Sequence, residues 1–221
     1  AVMLPALVAP TEDIGDSFNP SEYPTSPYRT SEGTLGMASD GRFVVAWLGF
    51  GYYVGGRQIW ARRYDPAGQP QGPSFPVEAS VTASNPRPDL SVAADGRFVI
   101  VWSRSAPEGW QVRGQRFDAD GGRLGQEFVA NSVTGNTQTD PALAVDAAGN
   151  MVVAWTRAFG SSFPPADGGR VYARRFDADG VPVGGEFRVN SYMGGHQIMP
   201  SVAFQDGGGF VIAWTGTQQD G

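Results

Sequence analysis

The chain has no cysteine. That removes disulfide frameworks, thiolate metal sites and cysteine nucleophiles together. It also has no lysine, so all 16 basic residues are arginine, a trait of genome composition more than of function. With one histidine, His196, a transition-metal site there would need carboxylates for its other ligands. Acidic residues outnumber basic ones 22 to 16, for a net charge of −6. The arginines form no run longer than two, so a nucleic-acid footprint is not expected. No apolar run reaches the length of a membrane-spanning helix. The first residue, Ala1, fits the mature end left by a removed signal peptide, and equally a boundary within a longer chain.

What is present is a repeat. "DGRFVVAW" ends at Trp47, "DGRFVIVW" at Trp102, "AGNMVVAW" at Trp155 and "GGGFVIAW" at Trp214. Upstream, "PDLSVAADG", "PALAVDAAG" and "PSVAFQDGG" align from Pro88, Pro141 and Pro200, with a weaker copy from Gly33. Downstream, "IWARRYD", "VRGQRFD" and "VYARRFD" align from Ile59, Val112 and Val171. "PSFPVEA", "QEFVANS" and "GEFRVNS" follow, from Pro73, Gln126 and Gly185.

Each unit reads as four strands. The first is short, and an Asp-Gly or Ala-Gly turn leads to the second. The second is apolar at successive positions, as expected of a strand buried on both faces. The third alternates, and another tight turn leads to the fourth. One such sheet cannot bury both faces alone, but copies stacked around an axis can. The expected fold is therefore an all-β propeller of four-stranded antiparallel blades, with the four tryptophans buried at equivalent positions between blades. Blades are expected near 31–83, 84–133, 134–193 and 194–221, the last incomplete. Residues 1–30 form an N-terminal segment in which Leu4 to Pro10 could supply a ring-closing strand. Either the ring has a thin fourth blade, or the chain continues or is disordered after Gly221; the second is favoured.

The pattern "DGRFVVAW … ARRFDADGVPVGGEFRVN" resembles the tandem repeats of about fifty residues in large secreted and cell-surface bacterial proteins, over roughly residues 31–221. The resemblance implies a propeller-like array, an extracytoplasmic place (periplasmic, secreted or cell-surface), and binding or scaffolding without catalytic residues.

Blade turns alternate ends, so one face carries short uniform turns and the other carries variable loops. The variable face holds Phe50, Tyr52, Tyr53, Trp110, Phe159 and Phe163, and these rings are the candidate contacts for a protein partner. The alternative is that they fold back and cap their own loops. The expected function is a non-catalytic scaffold or binding subunit, with a lectin-like carbohydrate-binding propeller as the alternative and a glycoside-active enzyme after that. For the enzyme, Asp89, Asp140 and Asp146 flank the first strand near the central channel and are the only carboxylate candidates. The "DADG" stretches, with Asp118, Asp120, Asp177 and Asp179, resemble part of the calcium loop of integrin-type repeats, but a third acidic residue is missing. They are expected to be plain hairpin turns binding no metal and no other cofactor. Arg63, Arg116 and Arg175 recur at one position. They are expected to be structural, with Glu127 or Glu186 as partners. His196 lacks an accompanying nucleophile motif.

Overall fold

The computed structural model describes residues 30–51, 56–78, 87–158, 168–205 and 208–217. They form three four-stranded antiparallel sheets and one of two strands. The first sheet runs β1 (Thr30–Met37), β2 (Phe43–Gly51), β3 (Gly56–Tyr64) and β4 (Phe75–Pro76). The second runs β5 (Asp89–Val92), β6 (Phe98–Ala106), β7 (Gly109–Phe117) and β8 (Arg123–Val129). The third runs β9 (Thr137–Val145), β10 (Met151–Ala158), β11 (Gly169–Phe176) and β12 (Phe187–Arg188), and the fourth β13 (Gln197–Phe204) with β14 (Phe210–Gly216). The innermost strands β1, β5, β9 and β13 touch in succession. This is the stacking of a β-propeller, with the fourth blade incomplete among the described residues.

The apolar second strands hold the blades together because each serves two seams. Val44, Ala46 and Leu48 of β2 pack with Phe98, Ile100 and Trp102 of β6. The other side of β6, Val99 and Val101, packs with Met151, Val153 and Trp155 of β10. The other side of β10, Val152 and Ala154, meets Val202, Phe204, Phe210 and Ile212 of the fourth blade. The leading face of each blade is therefore large and aromatic, and the trailing face small and branched, so the two interdigitate. Stacked Phe98 and Phe117 rings, with centroids 4.9 Å apart, fill the first seam.

The tryptophans are equivalent but not equally covered. Trp102 and Trp155 are fully buried, whereas Trp47 and Trp214 are half-buried. Trp47 points from the leading face of the first blade, and no described blade precedes it. Trp214 belongs to a sheet with two of its four strands. Among the described residues no helix is long and apolar enough to cross a membrane.

Candidate functional site

Where every copy carries the same residue, the fold explains it. Copy-specific polar residues on the innermost strands are therefore the informative ones. Thr34, Asp89, Ala142 and Ser201 are equivalent, since they pair with Ala46, Val101, Ala154 and Ala213, each the residue before the repeated tryptophan. Two residues earlier stand Glu32, Arg87, Asp140 and Met199. Neither position repeats.

Four of these side chains form two pairs on the inner strands. The Thr34 hydroxyl donates to Asp89 Oδ1 at 3.2 Å, and the Leu143 N–H donates to Asp89 Oδ2 at 2.7 Å. Asp89 thus ties three blades. Arg87 Nη1 lies 3.4 Å from Asp140 Oδ1, and the Thr139 hydroxyl donates to Asp140 Oδ2 at 3.1 Å. Burial pushes the Asp89 carboxyl above the ordinary aspartate range, against the opposing pull of the Leu143 and Leu90 N–H groups and the Thr34 hydroxyl. Asp140 faces a guanidinium. One carboxyl that favours its proton and one held by a cation, on adjacent strands, is the division of roles that an acid and base pair needs.

Asp140 has a φ of 48°, unusual for a residue other than glycine and more so before a proline. Met199, before Pro200, repeats it at 54°. Both lie where the inner strand slips register against its neighbour. The conformation is therefore shared by two copies, and what distinguishes Asp140 from Met199 is the carboxylate. Asp146 does not join the pair. It caps its own turn, accepting from Ala148 N and Asn150 N at 2.9 and 2.8 Å.

A second copy-specific group escaped the sequence reading. Glu78 stands where the later copies have Asn131 and Asn190. Those asparagines accept from Val112 N and Val171 N of their own blades. The Glu78 carboxylate instead accepts from Trp102 Nε1 of the next blade at 2.8 Å, with Arg104 at 3.8 Å. Glu78 is 1% exposed. Burial raises its carboxyl to about 7, against the pull of Arg104 and Trp102. A group so enclosed belongs to the seam and meets no substrate. The signal available in the sequence was the break in the asparagine column.

Two of the three recurrent arginines, Arg63 and Arg116, are structural, but their partners correct the expectation. Glu127 is taken by Arg113 at 2.9 Å. Glu186 is taken by Arg157 and the Ser132 N–H. Arg63 Nη1 donates to Ala119 O at 2.9 Å and lies 3.6 Å from Asp120 of the second blade. Arg116 Nη1 donates to Ala178 O at 2.7 Å and lies 3.8 Å from Asp179 of the third. Each arginine therefore grips the "DADG" turn of the following blade. Within those turns, Asp118 Oδ1 accepts from Asp120 N and Gly122 N at 2.9 and 2.7 Å, and Asp177 Oδ1 from Asp179 N and Val181 N at 3.0 and 2.9 Å. Gly121 and Gly180 have φ of +85° and +79°, and a Cβ on either would stand 3.2 or 3.1 Å from the arginine Nε. Glycine is required there twice over, by the turn and by the guanidinium.

Of the candidate aromatic contacts, Trp110 opens β7 and is half-buried. Tyr52, Tyr53, Phe159 and Phe163 lie outside the described residues, as does the side chain of Phe50. So does the segment Leu4 to Pro10. His196 bonds through its backbone to Thr217, and its Nδ1 is buried without a partner. Among the described residues no group of three or more His, Asp or Glu side chains is placed to hold a metal ion.

No family model and no curated protein sequence matches the chain, so membership of a tandem-repeat family is not supported. Solved structures do match. A protein of unknown function from Dyadobacter fermentans superposes with a TM-score of 0.53 at 14% identity, over 78% of this chain and 53% of that one. The GH93 alpha-L-arabinofuranosidase of Fusarium graminearum, solved with arabinobiose, gives 0.51 at 11%, over 79% and 54%. Zg3597, a family 117 glycoside hydrolase of the marine bacterium Zobellia galactanivorans, gives 0.50 at 11%, over 86% and 70%. The chain spans about half the length of the first two. At these identities the likeness is one of fold. It nevertheless overturns the expectation of a non-catalytic scaffold. That expectation held that such a propeller carries no catalytic residues, and two of these three structures of like fold are glycoside hydrolases.

Proposed function

We propose that the protein is a carbohydrate-active propeller that cleaves glycosidic bonds at the axial end of its inner strands. Asp89 is the proton donor and Asp140 the carboxylate that acts opposite it, with Arg87 orienting Asp140. The observation that carries the reading is two carboxylates in unlike surroundings on neighbouring inner strands, Asp89 where the other copies have threonine, alanine and serine, and Asp140 where they have glutamate, arginine and methionine. A structural requirement would have repeated. Glycoside hydrolysis asks for such a pair, with the donor pKa raised. The glycoside hydrolases of like fold support it. With a glycan of the cell's surroundings as substrate, the reading carries an extracytoplasmic place of action.

The test is a panel of aryl glycosides, including an α-L-arabinofuranoside, assayed with the wild type and with Asp140→Asn. Hydrolysis that falls about 100-fold or more in kcat with Tm unchanged is expected. For an acid at Asp89, kcat should decline as pH rises through its raised pKa. Absence of hydrolysis across the panel, or activity indifferent to Asp140→Asn, overturns the reading.

A further inference from the structure

Of the three residues in its column, Glu78 alone reaches out of its own blade. It follows Val77 as Asn131 follows Ala130 and Asn190 follows Val189, and those three donate alike to Ile59, Val112 and Val171. The asparagines are used at home. Asn131 accepts from Val112 N and donates to Trp110 O, and Asn190 accepts from Val171 N and donates to Tyr192 O. A carboxyl group lacks the amide donors for that place. Glu78 is one methylene longer and spans the seam to Trp102 Nε1 at 2.8 Å.

The charges that face Glu78 are mixed. Arg104 of β6 lies 3.8 Å away, out of hydrogen-bond range. Arg113 of β7 and Glu127 of β8 also act on it, and they are bonded to each other at 2.9 Å. From its own blade Gln58 of β3 donates to its backbone carbonyl. The ionised carboxylate would thus have one N–H and an unbonded guanidinium, in a place almost closed to water. Burial accordingly raises the carboxyl, against Arg104 and Trp102.

Asp89 lies beside this contact. It pairs across the ladder with Val101, and Trp102 is the next residue of β6. The Thr34 hydroxyl reaches Asp89 across the same seam. Ala46, opposite Thr34 on β2, packs in one cluster with Trp102. The first two blades therefore meet through Glu78 and through Thr34 at neighbouring places, and what parts one contact parts the other. Arg63 and Arg116 latch successive blades through guanidinium bonds to the next turn. Glu78 is a latch of another kind, because a proton changes its charge.

We propose that Glu78 is a proton-operated latch on the candidate site: as a neutral acid it keeps the seam closed and Thr34 on Asp89, and as a carboxylate it draws water into the seam and Thr34 off Asp89. The site is thereby assembled in mildly acidic surroundings and slackens above neutrality. A merely structural polar group needs no titratable side chain, and the other two copies use asparagine. The consequence for hydrolysis rests on the function proposed above; the latch itself does not.

The test follows the Trp102 indole N–H and the backbone amides of Thr34 and Asp89 by NMR, in the 221-residue protein, from about pH 5 to about pH 8. All three should shift with a midpoint near 7, and amide exchange along β1 and β5 should quicken above it. Glu78→Gln keeps the neutral form, and Glu78→Asn copies the other two units. Both should remove that midpoint and leave only the titration of Asp89 itself. On aryl glycosides, kcat of the wild type should fall about 3-fold further over this range than that of Glu78→Gln. A Trp102 signal that stays still, Thr34 and Asp89 amides indifferent to a shift at Trp102, the same midpoint in both variants, or coincident pH–rate profiles of wild type and Glu78→Gln would each overturn the proposal. If neither protein hydrolyses any glycoside, the function proposed above falls, and the NMR measurements alone decide the latch.

Discussion

β10 and β14 carry almost the same residues. Met151 to Trp155 reads MVVAW, and Phe210 to Trp214 reads FVIAW. Every residue of β10 is buried, whereas β14 alternates between half-buried and exposed. Val152 is 1% exposed and its counterpart Val211 is 48% exposed. The difference lies outside the strand. β10 has a blade on each side and a strand on each edge, while β14 has one described blade beside it and one strand. Continuous apolarity is thus a statement about neighbours the strand needs, and a repeat can write it without the neighbours being at hand.

The tryptophans give the sharpest test. Trp155→Ala should cost about 3–5 kcal/mol in chemical unfolding, through lost burial and a cavity. Trp214→Ala should cost well under half of that, because its ring is half-buried. Equal costs would mean that β14 is as covered as β10. The indole N–H groups refine the point. Trp102 Nε1 bonds Glu78, whereas Trp155 Nε1 is buried with no partner among the described residues, so Trp155→Phe should be milder than Trp102→Phe.

The seam between the first two blades should weaken as pH rises. Burial raises the Glu78 carboxyl from its ordinary 4.5 to about 7, so the folded state binds the extra proton. Its contribution is fully present below about pH 4.5 and is lost as pH rises through 7, by roughly 2–4 kcal/mol in all. Glu78→Gln should flatten that slope in urea titrations between pH 5 and 8. The seam between the second and third blades has the neutral Asn131 in the place of Glu78.

Next in size are the latches. Arg116→Ala should cost about 1–2 kcal/mol by thermal melting, since it removes a charge-assisted bond between blades. Asp120→Asn should be smallest of all: its carboxylate is almost wholly in solvent, and exposed pairs contribute little. A clear loss of stability at Asp120 would mean that the turn depends on the carboxylate more than on the carbonyl of Ala119.

The sequence by itself determined the blade. Strand order, the turns and the two-faced burial of the second strands follow from local patterns repeated at a fixed period, and periodicity survives without knowledge of contacts. It also marked the recurrent arginines as structural, which holds for Arg63 and Arg116, because a residue that recurs answers to the unit. Only the tertiary structure decided what those arginines hold. Arg63 and Ala119 are 56 positions apart, and nothing local ties one to the other. The same holds for the candidate site. Asp89 and Asp140 were legible as carboxylates on inner strands. That Asp146 turns away to cap its own loop was not, nor that Arg87 reaches across to Asp140 or that Glu78 lies sealed beneath Trp102. Each depends on which blade a side chain meets, and that is fixed by packing between units whose sequences say only that they pack.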